Sequence, residues 1–487
     1  MAEPSKLHYL NVGPAGTFRA SGDAHTTSAD VDALIAHLEA EGKDHLVVHV
    51  HGGLVSESEG LAIAAKVAPR YQGLGAHPVT LIWESGLYET VRDNLSSLGN
   101  TDLFKKLLSL VVDLVSKQIG IGGGKGAGVG IDPAEREREL ARERPFAELD
   151  QTLPEAREQL AELDLDELAS EAEAELEAVL DGDEELAALI DLIGQPGEDE
   201  ATELLRREAL TDQPAGGGKG LLSWATLAKT LVSVGIRVVK RMIGKRDHGF
   251  YCTVVEELLR EVYVADLGAW AWGRMTAKAA AVFAANDGLD GDARHVGRYF
   301  LDALAGLASR RPGLVIDLVA HSAGAMLVCE WLRAAAATGA PPVRRVVLLA
   351  PALTTKRFHS DVASAPGRYG DLRLFVLDDA SERDDSLVPV LYPRSLLYFV
   401  SGVLEAGDGD ATLVGLERHI QAQGPYRDSH LLDLYRFLDQ PGRLVVSPSP
   451  NQAARGLRAG ARSHDEFNDD PLTLDSVLAF LAPDPAP

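Results

Sequence analysis

The segment Leu314-Val315-Ile316-Asp317-Leu318-Val319-Ala320-His321-Ser322-Ala323-Gly324 carries the strongest structural signal in this chain. An apolar, β-branched run leads into a serine flanked by small residues, and the helix-compatible stretch Ala325 to Ala337 follows at once. Strand, sharp turn and helix in that order make a nucleophile elbow, G-x-S-x-G, with Ala320 in place of the first glycine. Small neighbours are required because the serine sits on a strained turn where larger side chains would meet strand or helix. The helix turns its N-terminal amides, and their positive partial charge, toward any oxyanion formed at the serine.

Outward from this segment, short apolar runs alternate with helical ones. His8 to Val12, His45 to Val50 and Pro78 to Trp83 read as strands, with helices over Ala29 to Glu41 and Leu61 to Ala68. The pattern resumes with a helix over Val296 to Ser309, the elbow strand, and strands at Arg344 to Leu349, Arg373 to Leu377 and Arg443 to Val446. Leu472 to Leu481 closes the chain as a helix. Strands separated by helices predict a mostly parallel sheet with right-handed crossovers.

The middle of the chain differs. Leu103 to Ile119 and Leu221 to Ile243 are amphipathic, with lysines and arginines opposite Leu, Val, Ile and Trp224. Each abuts Gly-Gly-Gly-Lys-Gly, at 122–126 and 216–220, and between the copies runs an Ala/Leu/Glu/Asp/Arg segment, 131–212. Three parts follow: 1–100 as the first piece of an α/β core, 101–250 as a helical cap, and 251–487 as the second piece of the core. The segment 131–212 is expected to be an acidic helical or partly disordered arm on glycine hinges. The glycine-rich pieces are not phosphate loops, because Lys125 is followed by Gly126 and the G-x-x-x-x-G-K-[ST] frame is missing.

The chain has 487 residues, a formal net charge of −26 and two cysteines, Cys252 and Cys329. Such acidity argues against a nucleic-acid partner, and two cysteines exclude a disulfide framework. No charged n-region precedes an apolar run at the N-terminus, and no window reaches about 18 uncharged apolar residues. A soluble, cytoplasmic protein without a transmembrane segment is expected. The basic amphipathic helices offer at most a surface for transient membrane contact.

A serine nucleophile needs an imidazole to take its proton and a carboxylate to fix that imidazole. Only His464, in Arg462-Ser463-His464-Asp465-Glu466, follows the last strand; His359 and His430 precede it. The strand Arg373 to Leu377 runs into Asp378-Asp379-Ala380-Ser381-Glu382-Arg383-Asp384-Asp385-Ser386-Leu387-Val388-Pro389. Asp385, Asp378 and Asp384 are all open as the acid on the residues alone. His51-Gly52-Gly53-Leu54 after an early strand suits an oxyanion turn, donors being the amides of Ala323 and of Gly53 or Leu54, with Gly52 supplying freedom of the turn. His321 is expected to pack beside the elbow, with Ala320 and Gly324 supporting it. His49 and His51 lack a carboxylate or cysteine ligand pattern, so neither a metal nor another cofactor is expected. Trp83-Glu84-Ser85-Gly86 has a Ser-Gly after a strand but sits in the wrong place for an elbow.

Taken in order, His51-Gly52-Gly53, Ala320-His321-Ser322-Ala323-Gly324, the 378–389 loop and Ser463-His464 resemble the serine lipase and esterase branch of the α/β-hydrolase superfamily. The resemblance covers about 1–100 and 250–487; the cap has no counterpart in it. Through the resemblance Asp385, in Asp385-Ser386-Leu387-Val388-Pro389, is preferred as the acid. It implies a mostly parallel central sheet flanked by helices, and a serine hydrolase that cleaves carboxylic or lipid acyl esters through a Ser-His-Asp triad and an acyl-enzyme. An acyltransferase, an amidase or peptidase on the same triad, and a non-catalytic scaffold binding a basic partner through the acidic arm are the other readings. Substrate identity and oligomeric state are not legible in the sequence.

Overall fold

The computed structural model describes residues 4–53, 55–83, 87–119, 131–191, 223–263, 268–405, 407 and 409–483. The chain forms two compact units. One comprises Met1–Glu89, Trp272–Glu382 and Thr412–Pro487; the other comprises Thr90–Ala271 and Arg383–Ala411.

The first unit is built on a seven-stranded sheet. Its strands are β1 (Tyr9–Asn11), β2 (His45–Val50), β3 (His77–Ile82), β4 (Val315–His321), β5 (Val343–Leu349), β6 (Tyr369–Leu377) and β7 (Leu444–Ser447), in the order β1-β3-β2-β4-β5-β6-β7. Every pairing is parallel. All seven fall on the apolar runs that the sequence marks as strands. β2 and β4 are buried on both faces beyond their first residue, as expected for parallel strands covered by helices on both sides. Two helices start on capping boxes, Thr27 with Asp30 and Ser56 with Glu59, each satisfying two otherwise orphaned amides.

One charge interrupts the apolar centre of the sheet. Asp317 on β4 is fully buried and is bonded by His45 from β2 (2.7 Å) and Arg344 from β5 (3.0 Å). Burial alone would raise its pKa, but the bonds from His45 and Arg344 hold it below the usual carboxylate value.

β2 connects through the helix Glu57–Gln72 to β3 on one side, whereas β4 connects through the helix Gly324–Thr338 to β5 on the other. With right-handed crossovers the two helices lie on opposite faces. The strand order therefore reverses between β2 and β4, where open α/β sheets leave a crevice at the carboxyl ends of their strands.

The second unit is helical. The helices Asp102–Ile119 and Trp224–Ile243 bury their apolar stripes inside it, with Leu107, Val111 and Val115 on one and Leu227, Leu231 and Val238 on the other. A Cβ on Gly235 would lie 2.9 Å from Leu114 Cδ2, so the two helices approach closely there. The apolar faces proposed for transient membrane contact are thus occupied within the unit, and among the described residues no helix is long and apolar enough to cross a membrane.

The acidic segment is helical where it is described, and its helices are packed within the unit. Its described part, 131–191, folds into the helices Pro133–Leu140, Leu149–Leu160, Leu165–Asp181 and Glu184–Asp191. Leu176, Leu180 and Leu186 are buried, and its carboxylates pair with the basic faces, as in Lys106–Asp183 (3.0 Å) and Lys117–Glu175 (2.9 Å). Enough leucines recur at helical spacing to give the segment a packed face, which its charge count conceals. Both Gly-Gly-Gly-Lys-Gly copies lie outside the described residues. The helical unit also includes 251–271 and 383–411, stretches that the sequence pattern joins to the second piece of the core.

Buried charge organises this unit. Arg241 Nη1 lies 2.7 Å from Glu256 Oε2 and 3.0 Å from Glu257 Oε1, while Glu256 Oε1 also meets His248 Nδ1 at 2.7 Å and the Tyr392 hydroxyl. Removing Glu256 takes from the buried Arg241 guanidinium one of its two carboxylates and leaves His248 Nδ1 and the Tyr392 hydroxyl without that acceptor; breaking a buried pair in this way costs about 3–5 kcal/mol. Glu256→Ala is therefore expected to lower stability by about that amount in urea titrations. A loss below about 1 kcal/mol would mean that water or rearrangement satisfies Arg241 and His248.

Candidate active site

Ser322 follows the last residue of β4 and has φ = 52°. Left-handed backbone costs a residue with a Cβ about 1–3 kcal/mol, and the surroundings hold it there. The Ser322 amide donates to Leu349 O at the end of β5 (2.9 Å), and its carbonyl accepts from the Ala325 amide (3.2 Å). The helix Gly324–Thr338 then begins with no side-chain cap. Ser322 is 2% exposed, and among the described residues its Oγ has no hydrogen-bond partner. Such a group is uncommon in a protein interior.

The His51-Gly52-Gly53 turn lies directly against this elbow. A Cβ on Gly52 would come 3.3 Å from Ser322 Cβ and 3.2 Å from His321 Nδ1; one on Gly53 would come 2.9 Å from Ala323 Cβ. Gly324 is tighter, its Cβ falling 2.6 Å from His51 O and 2.8 Å from Val50 O. His51 organises the turn. Its Nε2 accepts the Trp83 backbone amide (3.2 Å), so Nδ1 carries the proton and donates to Gly52 O (2.7 Å). Carbonyl and amide point oppositely across a trans peptide, so tying down the Gly52 carbonyl turns the Gly53 amide the other way. Leu54, the alternative donor, lies outside the described residues.

His464 is buried in the same unit, at the start of the 3₁₀ turn Asp465–Asn468. Its carbonyl oxygen is 3.0 Å from His321 Nε2, and the two rings lie 4.8 Å apart. Burial lowers the His464 pKa, with Asp465 pulling the other way. A buried imidazole kept neutral at physiological pH has the form required of a general base.

The three acid candidates have different surroundings. Asp378 directly follows β6 and its Oδ1 accepts the Ser381 amide (2.7 Å), capping the short helix Asp379–Asp384. Asp384 is exposed and pairs with Arg144 inside the helical unit. Asp385, in the same unit, is half-buried and accepts the Ser386 amide (2.8 Å). Glu382, which sequence reading passed over, is fully buried.

Other candidates find structural partners. His49 Nδ1 meets the Tyr71 hydroxyl at 2.9 Å in the core. His430 forms a relay that resembles a triad, with Nδ1 2.6 Å from Asp428 and Nε2 3.2 Å from Thr355 Oγ1. The Thr355 hydroxyl is also bonded to Thr412 (2.6 Å), and Thr355 is not among the described residues with positive φ. Glu84-Ser85-Gly86 lies outside the described residues. Asn468 and Trp83 were missed as supporting residues, because side chains that hold a loop or a peptide carry no spacing signal.

No protein-family model, curated protein or solved structure matches the chain.

Two expectations follow. Gly324→Ala sets a methyl against two backbone carbonyls that cannot move aside like a side chain, so a fall of about 2 kcal/mol or more in urea unfolding is expected; wild-type stability would refute the close approach. Burial pushes the pKa of His49 and His321 down to about 3 and of His51 and His77 down to about 4. The unfolded chain takes up protons on these residues below about pH 6.5 while the folded chain does not. Stability should therefore be fully present above pH 6.5 and decline as pH falls toward 4 and 3. A urea midpoint that stays constant from pH 7 to pH 4.5 would contradict this.

Proposed function

We propose that this protein is a serine hydrolase of the α/β-hydrolase type, cleaving carboxylic or lipid acyl esters through an acyl-enzyme on Ser322. The observation that carries this reading is the left-handed backbone at Ser322, on a strand-to-helix turn, with a buried and unpartnered Oγ beside His51-Gly52-Gly53. A serine held at such cost on a glycine-lined turn has a chemical rather than a packing rationale. Supporting it, the strand order reverses between β2 and β4, and chain order brings the oxyanion turn first, then serine, acid segment and histidine.

In this mechanism Ser322 Oγ attacks the ester carbonyl carbon while the His464 imidazole accepts its proton. The carbonyl π pair moves onto oxygen, and the amides of Ala323 and Gly53 donate to that oxyanion. Collapse expels the alcohol, which takes the proton from His464. Water, deprotonated by the same imidazole, then attacks the acyl-enzyme and releases the acid. The carboxylate that orients His464 is sought in the segment after β6, where Asp385, Asp378 and Asp384 are the candidates.

A fluorophosphonate probe should label the wild-type protein at Ser322, as located by peptide mass spectrometry, and Ser322→Ala and His464→Ala should each lose at least about a thousandfold in p-nitrophenyl ester turnover. Of Asp385→Asn, Asp378→Asn and Asp384→Asn, the variant that falls to the same range identifies the acid. Absent labelling, or turnover retained in Ser322→Ala, would overturn the reading. Transfer of the acyl group to an added alcohol or amine in preference to water would make the protein an acyltransferase on the same residues.

A further inference from the structure

We propose that His321 is a positioning residue for the general base, holding the loop of His464 in place against the strand that carries the nucleophile. The inference rests on the serine-hydrolase reading above. His321 is the last residue of β4, directly before Ser322, and is buried. Its Nε2 lies 3.0 Å from the His464 carbonyl oxygen and its Nδ1 lies 3.2 Å from Asn468 Nδ2.

Only one protonation pattern fits both contacts. A carbonyl oxygen only accepts, so Nε2 is the donor; a neutral ring then leaves Nδ1 as acceptor, matched by the Asn468 amide. Burial and the neighbouring His464 both favour that neutral ring, holding the pKa at about 3. A single side chain thereby grips the turn that follows His464 at both ends. Between them, the loop is otherwise braced by Glu466, whose side chain accepts the Arg462 amide (2.6 Å) and whose carbonyl accepts the Asp470 amide (2.7 Å).

Because His321 and Ser322 are adjacent on one strand end, nucleophile and base share a single frame of reference. Displacement of a catalytic group by about 1 Å costs on the order of a hundredfold in rate. The neutral state also matters chemically. An imidazolium formed on His464 during attack meets a neighbouring ring that bears no like charge.

The test compares His321→Phe, His321→Gln and Asn468→Leu with wild type. Glutamine places an amide donor near the position of Nε2, whereas phenylalanine keeps the volume and removes both polar contacts. His321→Phe should lose about a hundredfold in kcat for p-nitrophenyl butyrate and in the rate of fluorophosphonate labelling, with KM within about threefold. His321→Gln should recover to within about tenfold of wild type, and Asn468→Leu, on a partly exposed turn, should give an intermediate loss with an unchanged urea midpoint. Wild-type kcat in His321→Phe, or equal losses in the Phe and Gln variants, would overturn the positioning role. If His321→Phe does not fold, Asn468→Leu decides: unchanged kcat in that variant also overturns it. Failure of wild-type protein to label at Ser322 would instead defeat the hydrolase reading itself.

Discussion

The contact on which the rest of the sheet unit depends is the approach of the helix Gly324–Thr338 to the end of β2. The space left for a Cβ at Gly324 is closed by the Val50 and His51 carbonyls, so strand β4 has no room for a gradual exit into the helix. It must turn within one residue, and that residue is Ser322, in left-handed backbone. The small residues nearby follow from the same constraint. A Cβ on Gly53 would fall 2.9 Å from Ala323 Cβ and one on Gly52 3.3 Å from Ser322 Cβ, so the turn against the elbow is close, and Ala320 is fully buried between its neighbours. The strain is of order 1–3 kcal/mol, well within what the buried strands β2, β4 and β5 provide through apolar contact.

The carboxyl ends of the central strands β2 and β4 carry two neutral histidines, each used as a fixed two-ended connector. His51 joins the Trp83 amide to the Gly52 carbonyl, and His321 joins the His464 carbonyl to the Asn468 amide. In both cases an amide donor on one ring nitrogen and a carbonyl acceptor on the other select one tautomer. Imidazole suits this work because it is rigid and offers one donor and one acceptor when neutral. Burial secures that neutrality, and it makes acid stability and active-site order two aspects of the same burial.

The fold was largely legible because parallel strands buried on both faces read as uninterrupted apolar runs. His45–Val50 and Arg344–Leu349 needed little more than their Leu and Val content, whereas the capping residue Ser56, which starts its helix four residues before the apolar run at Leu61, was not read. The helical unit was less legible, for two physical reasons. Its acidic helices carry their buried leucines among many carboxylates, so charge density resembles that of a solvated arm. Its return segment, 383–411, belongs to it through contacts distant in sequence, such as that of Tyr392 with Glu256, and no local periodicity reports those. The count of 73 acidic residues also misleads about the surface, since some of them are matched within the unit by Lys106, Lys117, Arg136 and Arg157.

Within the candidate site, legibility tracks how far each role constrains the backbone. The nucleophile and the oxyanion turn demand small residues at fixed positions, so Ser322 and His51-Gly52-Gly53 stand out in the sequence. The acid demands only a carboxylate at the end of a flexible reach, and Asp378, Asp384 and Asp385 all meet that demand in composition. Asp428, His430 and Thr355 show why side-chain geometry alone does not separate a site from a brace. They form a complete carboxylate–imidazole–hydroxyl relay, yet the hydroxyl is also bonded to Thr412 and Thr355 shows no left-handed backbone. At Ser322 the hydroxyl is unspent and the backbone is strained to present it. Strain with an unused donor, rather than the relay itself, is the physical difference between the two clusters.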